Sequence, residues 1–213
     1  MLRLHWHPFS IVPRRVRIAL LEKGLPYESV EVDVLAGEHR GEAFRRLNPF
    51  AQIPVLEDDG LVLCESVAIL EYLEESHPAP RLLSADPTAR ALTRQFMLWS
   101  GDYMSEPWEH WLAPAIQPEA PVDADLRDAA HDALAHHLDV LERRLTGRDW
   151  LIDDYSLADI CYAPLLTVFD RVGLGHLVSA RPAVARWVRR LEERPAVRET
   201  APPMMRPKLP PRR

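Results

Sequence analysis

Between Asn48 and Tyr72 the chain reads NPFAQIPVLEDDGLVLCESVAILEY, and few folds accommodate that order of signals. Ile53-Pro54 heads a short β-type run, Val55-Leu56. Asp58-Asp59-Gly60 separates it from a second apolar run, Leu61-Val62-Leu63-Cys64, and Asp-Gly between two such runs signals a hairpin. Glu65-Ser66 then opens a helical pattern carried by Val67, Leu70 and Leu73. The reading is strand, tight turn, strand, helix. A proline at the head of a strand has no ladder donor, so it belongs at a strand start or an edge. With a cis bond, predicted here for Ile53-Pro54, the N–H and C=O of Ile53 face outward and can pair with an extended ligand as a strand would. The helix N-terminus at Glu65-Ser66 can hold a carboxylate through free N–H groups and the helix dipole. A grip on a peptide backbone beside a grip on a carboxylate suits a small peptide.

The residues before this stretch supply the rest of a small domain. Leu2, Leu4 and Trp6 alternate with polar residues and predict a strand. His7 to Pro13 reads as a loop. A helix is expected from Arg14, with Val16, Ile18, Ala19, Leu20 and Leu21 apolar, stopping at Gly24. Tyr27 to Val34 alternates again as a second strand, parallel to the first in a βαβ unit. Residues 36–47 are a loop plus a short helix. With the hairpin and the helix from Glu65, the order is thioredoxin-like over residues 1–77, and Ser76 to Pro80 is the linker.

The second half, 86–200, predicts helices only. Asp86-Pro87 combines an N-cap acid with proline at the first helical position. Leu92, Phe96, Trp99 and Tyr103 share a face of that helix, which Pro107 and Pro114 should kink or break. From Asp125 an amphipathic helix runs through Leu126, Ala130, Leu134, Leu138, Leu141 and Leu145. His131, His136 and His137 fall on its polar side and are expected to be solvated. Tyr155-Ser156-Leu157-Ala158-Asp159-Ile160 is a capping-box variant, opening an apolar helix from Leu157 to about Val172 that should form the core. Pro182 starts a further helix with Val184, Trp187, Val188 and Leu191. Residues 201–213 form a basic, proline-rich tail (Arg206, Lys208, Arg212, Arg213), expected to be extended or disordered.

LNPFAQIPVLEDDGLVLCESVAILEYL resembles the glutathione-binding half of a glutathione S-transferase, a family that carries N-P-x-(G/A)-x-(V/I)-P, a hairpin and then E-S-x-A-I. The YSLADI motif, Asp86-Pro87 and the closing Pro182, Trp187 and Arg194-Pro195 resemble the family's helical domain, so the likeness spans residues 2–200. It implies a thioredoxin-like domain followed by an all-helical one (α/β plus all-α), glutathione as co-substrate without a metal, and a homodimer. The dimer would be two-fold symmetric and pack largely through the helix from Asp86 and the first domain of the partner. Asp153-Asp154 departs from the glycine that relatives often carry before the capping box.

The same resemblance assigns roles. Ser10, four residues before Arg14, has the placement of the catalytic hydroxyl in serine-type classes such as theta and delta. A free thiol has a pKa of about 8.5 and is mostly protonated at neutral pH, so glutathione needs a donor that stabilises its thiolate. Glu65 and Ser66 are implied for the γ-glutamyl amine and carboxylate, and Ile53, turned at Pro54, for the cysteinyl backbone. His39 or Arg40 and Gln52 are candidates for the glycine carboxylate. Phe9, Ile11 and Val12 with Tyr103, Met104, Trp108 and Trp111 are expected to make an apolar acceptor pocket, and Asp102 is a candidate to reach a partner subunit's site. His5 and His7 read as strand-end residues that could also serve as donor or base. The loop has no cysteine, and Phe9-Ser10-Ile11 departs from the serine-serine-cysteine motif of the zeta-type isomerases.

Composition bounds the alternatives. Of 213 residues, 47% are hydrophobic and 27% charged, which is that of an ordinary soluble globular protein. A net charge of −6 argues against a nucleic-acid partner held by bulk charge. Cys64 and Cys161 lie in separate apolar runs and read as buried free thiols. No run approaches the roughly 20 apolar residues of a membrane span, and there is no signal-peptide pattern, so the cytoplasm is the expected location. Two function classes remain: an enzyme that sends glutathione to small hydrophobic electrophiles (or an isomerase, dehalogenase, ether-cleaving enzyme or peroxidase of the same type), and a non-catalytic relative serving as a protein-binding scaffold.

Overall fold

The computed structural model describes residues 1–116 and 123–203; the tail beyond residue 203 lies outside them. The chain forms two compact units, Met1–Leu83 with Arg194–Pro203, and Ser84–Glu193. The first holds β1 (Arg3–Trp6), α1 (Ile11–Glu22), β2 (Glu28–Glu31), α2 (Glu42–Leu47), β3 (Val55–Asp58), β4 (Leu61–Cys64) and α3 (Ser66–Ser76). The sheet order is β2-β1-β3-β4, with β1 and β2 parallel and the other pairs antiparallel. Side chains alternate between its faces. Leu2, Leu4 and Leu56 meet Val16 and Leu20 of α1 and Ile69 and Leu73 of α3 on one face. Val55 meets Val32 and Phe44 of α2 on the other. Asp59 (φ 45°) and Gly60 (φ 94°) both take positive φ, which a tight hairpin turn matching the strand twist requires.

Two expectations shift here. The first helix begins at Ile11, not Arg14, because a proline inside the first helical turn removes only an N–H that has no intrahelical partner. The second strand ends at Glu31, although Val32 still donates to the Trp6 carbonyl at 2.8 Å.

A buried ion pair closes this unit. The Lys23 side chain is fully buried and its Nζ lies 2.6 Å from Glu74 Oε2. The ammonium also donates to the carbonyls of His77 (2.8 Å) and Pro80 (2.9 Å). Glu74 accepts the backbone N–H groups of Leu82 and Leu83 at 3.1 Å. Every charge is met by hydrogen bonds, so the pair offsets its desolvation and fixes the chain just after α3. The helix α10 (Pro195–Glu199) also belongs to this unit, so the helical unit ends at Glu193 rather than near residue 200. Arg194 forks onto Glu22 at 2.7 and 2.6 Å, and Arg14 Nη2 donates to the Val197 carbonyl at 3.0 Å. Lys23→Met should cost about 3–5 kcal/mol in urea unfolding, because it strands the Glu74 carboxylate; the double change Lys23→Met with Glu74→Leu should recover part of that loss.

The second unit holds α4 (Pro87–Asp102), α5 (Ser105–Ile116), α6 (Ala124–Leu145), α7 (Leu157–Leu166), α8 (Gly175–Ser179) and α9 (Pro182–Glu193). Asp86 caps α4 by accepting the Ala89 N–H at 2.7 Å. The break between α4 and α5 falls at Tyr103-Met104, ahead of Pro107, which sits in the first turn of α5. All ten residues of α7 are buried, and this core helix ends at Leu166 rather than near Val172. Its capping box is present, and Asp159 accepts from four donors: the N–H groups of Leu151 (3.1 Å) and Ser156 (2.9 Å), Ser156 Oγ (3.0 Å) and Trp187 Nε1 (2.9 Å).

Two histidines differ from expectation. His131 and His137 are buried, because α8 and α7 cover the side of α6 that looks polar in isolation. His131 Nε2 lies 3.0 Å from His176 Nε2, and His137 Nε2 lies 2.9 Å from the Tyr162 hydroxyl. Burial, reinforced by the His136 charge, lowers the His137 pKa to about 4, so this ring is neutral near pH 7. Only His136 is exposed as expected.

Burial pushes the Asp159 pKa up to about 6 despite its four donors. Between roughly pH 4 and pH 6 the folded state therefore keeps a proton that the unfolded chain releases, and stability falls as pH rises through that window. The stability of the wild type relative to Asp159→Asn, which cannot ionise, should fall by about 2 kcal/mol between pH 4 and pH 7 in chemical denaturation. A pH-independent difference would contradict this assignment.

Candidate functional site

The sheet register gathers segments far apart in sequence. His5 pairs with Val55 and Val55 with Cys64, while His5 pairs with Val30 on the other side. The C-terminal ends of β1, β2 and β4 and the start of β3 therefore lie at one end of the sheet. The turn to Ser10, the loop with His39 and Arg40, the Ile53-Pro54 step and the Glu65-Ser66 corner all leave from that end.

Ser10 stands at the N-cap position of α1 with extended backbone (φ −84°, ψ 124°), yet its side chain makes no capping bond. Serine is favoured there because its hydroxyl usually accepts an N–H of the first turn. Here the hydroxyl is left for another partner, beside the positive end of the helix dipole. The Ile53-Pro54 bond is cis, Pro54 is buried and Ile53 packs partly against Val55. No turn or loop hydrogen bond to another backbone group engages the Ile53 N–H or C=O among the described residues. Asn48, only 2% exposed, shapes this loop: its Nδ2 donates to the Gln52 carbonyl at 2.8 Å and its Oδ1 accepts the Phe50 N–H at 3.0 Å. Asn48 thus holds the loop that carries Gln52 and Ile53, and the Asn-Pro pair at the head of the motif is its signal in the sequence.

Glu65 occupies the N-cap position of α3 at φ 68°, ψ 116°, with its side chain exposed and making no capping bond. A non-glycine residue in this conformation costs of order 1–3 kcal/mol, a strain that collects at functional sites. Ser66 is the first residue of α3 and is 5% exposed. His39 and Arg40 lie in a 3₁₀ turn (Glu38–Arg40), with Arg40 and Gln52 exposed. His39 Nδ1 is sealed from solvent without a partner among the described residues. Next to Glu65, Cys64 is half-buried, and burial together with the Glu65 charge pushes its thiol pKa up. Near neutral pH that thiol stays protonated.

The acceptor-side residues separate. Phe9 is 40% exposed, and Ile11 and Val12 are half-buried, all in the first unit. In the helical unit Tyr103 is 59% exposed, whereas Met104, Trp108 and Trp111 are buried. Trp108 stacks on Phe169 with centroids 6.0 Å apart, and Trp111 Nε1 donates to the Val172 carbonyl at 3.0 Å. These three aromatic and apolar residues are core, as helical spacing alone could not tell. Among the described residues no group of three or more His, Cys, Asp or Glu is placed to hold a metal ion, and no helix is long and apolar enough to cross a membrane.

Two family models match the chain: the glutathione S-transferase N-terminal domain over residues 9–76 and the C-terminal domain over residues 108–195. Rat (Rattus norvegicus) maleylacetoacetate isomerase is 35% identical over 169 residues, 74% of this chain and 73% of that protein. FtsZ-localized protein A of Caulobacter vibrioides is 37% identical over 209 residues, 92% of this chain and 88% of that protein. Among solved structures, a Pseudomonas putida glutathione transferase with glutathione disulfide bound superposes with a TM-score of 0.85 at 30% identity, covering 93% of this chain and 90% of that one. With its thioredoxin-like unit, its helical unit and relatives of this identity along most of its length, the chain belongs to the glutathione S-transferase family.

Proposed function

We propose that this protein is a glutathione-dependent transferase that ionises the thiol of glutathione with Ser10 and directs the thiolate at small hydrophobic electrophiles. The observation that carries this reading is the Ser10 hydroxyl, at a helix N-terminus and free of a capping bond, at the same sheet end as Ile53 and Glu65-Ser66. The Ile53 backbone would pair with the cysteinyl unit. The α3 N-terminus with Ser66 would take the γ-glutamyl carboxylate and Glu65 the amine. His39, Arg40 and Gln52 would take the glycine carboxylate. The Ser10 O–H donates to sulfur, the thiol proton leaves to solvent, and the thiolate attacks the electrophilic carbon. An S–C bond forms and the leaving group departs with its electron pair. Phe9, Ile11 and Val12, on the same unit as Ser10, are the accessible apolar groups proposed for the acceptor. The bound glutathione disulfide in the Pseudomonas putida structure supports the ligand.

The isomerase relative makes reversible thiolate addition a variant of the same chemistry, although Phe9-Ser10-Ile11 lacks the cysteine expected of that class. The Caulobacter relative, named for its localisation with FtsZ, favours a second reading, a scaffold for another protein that does not use glutathione. Retention on glutathione resin and turnover of chlorodinitrobenzene separate the two. We also propose a cytoplasmic, detoxifying role and a two-fold homodimer. Leu98 (52% exposed) on α4 and Tyr103 just after it line a groove of about 780 Å³ with Arg90, Arg94 and Trp99, a face suited to a second copy. A monomeric mass in light scattering at micromolar concentration would remove the dimer.

Ser10→Ala tests the central role. A charge-assisted hydrogen bond to the thiolate is worth roughly 1.5–3 kcal/mol, so conjugation at neutral pH should fall about ten- to a hundredfold. Glutathione affinity should change little, and rate should return in part at higher pH. The ultraviolet thiolate band of bound glutathione should titrate at higher pH in the variant. Glu65→Ala should instead lose affinity first. An unchanged thiol pKa in Ser10→Ala would rule out this role.

A further inference from the structure

The turn that delivers Ser10 is built by His7. The Ser10 N–H donates to the His7 carbonyl at 3.1 Å, closing a four-residue turn with Pro8 in its second position, where the fixed φ of proline fits. The Phe9 N–H donates to His7 Nδ1 at 3.4 Å. The His7 ring, only 7% exposed, meets the Phe9 ring edge-on with centroids 5.6 Å apart. One side chain thus holds the residue before Ser10 by an N–H bond and a ring contact, while its own backbone holds Ser10. An acceptor at Nδ1 places the ring proton on Nε2.

We infer that His7 is a positioning residue: its Nδ1 and ring fix the Phe9-Ser10 segment so that the Ser10 hydroxyl points away from its own helix and toward the ligand's sulfur. The inference rests on the Ser10 reading above and extends it to a residue that does not touch the substrate. The need is physical. A serine at a helix N-cap position gains a capping bond by turning inward, and the backbone conformation on which it stands decides which side-chain rotamer is favoured. An apolar residue at position 7 could fill the space but could not accept the Phe9 N–H. Asparagine could, because its side-chain oxygen reaches the N–H two residues on in the same type of turn.

The test compares His7→Leu with His7→Asn in the full chain, using glutathione and chlorodinitrobenzene as probes. His7→Leu should lower kcat about three- to tenfold, the loss expected from one neutral hydrogen bond, with the KM for glutathione within about twofold of wild type. The thiolate band of bound glutathione should weaken at neutral pH. His7→Asn should restore both readouts to within about twofold. In the double variant with Ser10→Ala, His7→Leu should add no further loss, since both changes remove one effect. Equal defects in the Leu and Asn variants, a change in KM alone, or additive losses would overturn the assignment. A Ser10→Ala protein with wild-type kinetics would instead overturn the role of Ser10, and that of His7 with it.

Discussion

The pairing of β3 with both of its neighbours is the constraint on which the site depends. Val55 sits between His5 and Cys64, and this single row decides which loops become neighbours. Strand side chains alternate with period two, so a slip of one residue would turn Leu56 away from α1 and α3 and put it on the face where Val55 meets Val32 and Phe44, mismatching both cores. The apolar demand of the core therefore locks the register. The register in turn brings the Ser10 turn, the Ile53-Pro54 step and the Glu65-Ser66 corner to one end of the sheet. Packing energy supplies the alignment, and the site residues contribute little to it.

That division of labour explains why the same end of the sheet carries local conflict. Ser10 leaves a cap unmade, Glu65 takes a backbone conformation that most residues avoid, and among the described residues the Ile53 amide has no partner in a turn or loop. Each is a small local cost, and the rest of the unit is arranged to bear it. Lys23 and Glu74 fix the chain after α3, and Arg14 and Arg194 fasten α1 to the returning segment at α10. In the helical unit the buried polar cluster around Asp159 is met by four donors and joins α7 to Leu151 and Trp187.

Legibility from sequence followed the range of the interaction. The hairpin, the cis Ile53-Pro54 bond, the Asp86 cap and the Ser156 capping box rest on neighbouring residues, and all were readable. The start of α1 is hidden by Pro13, which suits a loop and the first turn of a helix equally well. The burial of His131 and His137 is not legible locally, because a helical wheel shows one helix and not the α7 and α8 residues that cover it. The same blindness made core residues Met104, Trp108 and Trp111 resemble a pocket. The Lys23–Glu74 pair joins positions 51 residues apart, and no local pattern announces it.

The central claim is that the sheet end formed by β1, β3 and β4 receives glutathione as an added strand at Ile53. Amide hydrogen exchange measured by NMR, with and without saturating glutathione, addresses it at the atom concerned. The account predicts that the Ile53 amide exchanges rapidly in the free protein and becomes protected on adding glutathione, with the largest shifts at residues 7–12, 39–40, 52–54 and 64–67. Unchanged Ile53 exchange under saturation, or shifts gathered elsewhere in the chain, would contradict it.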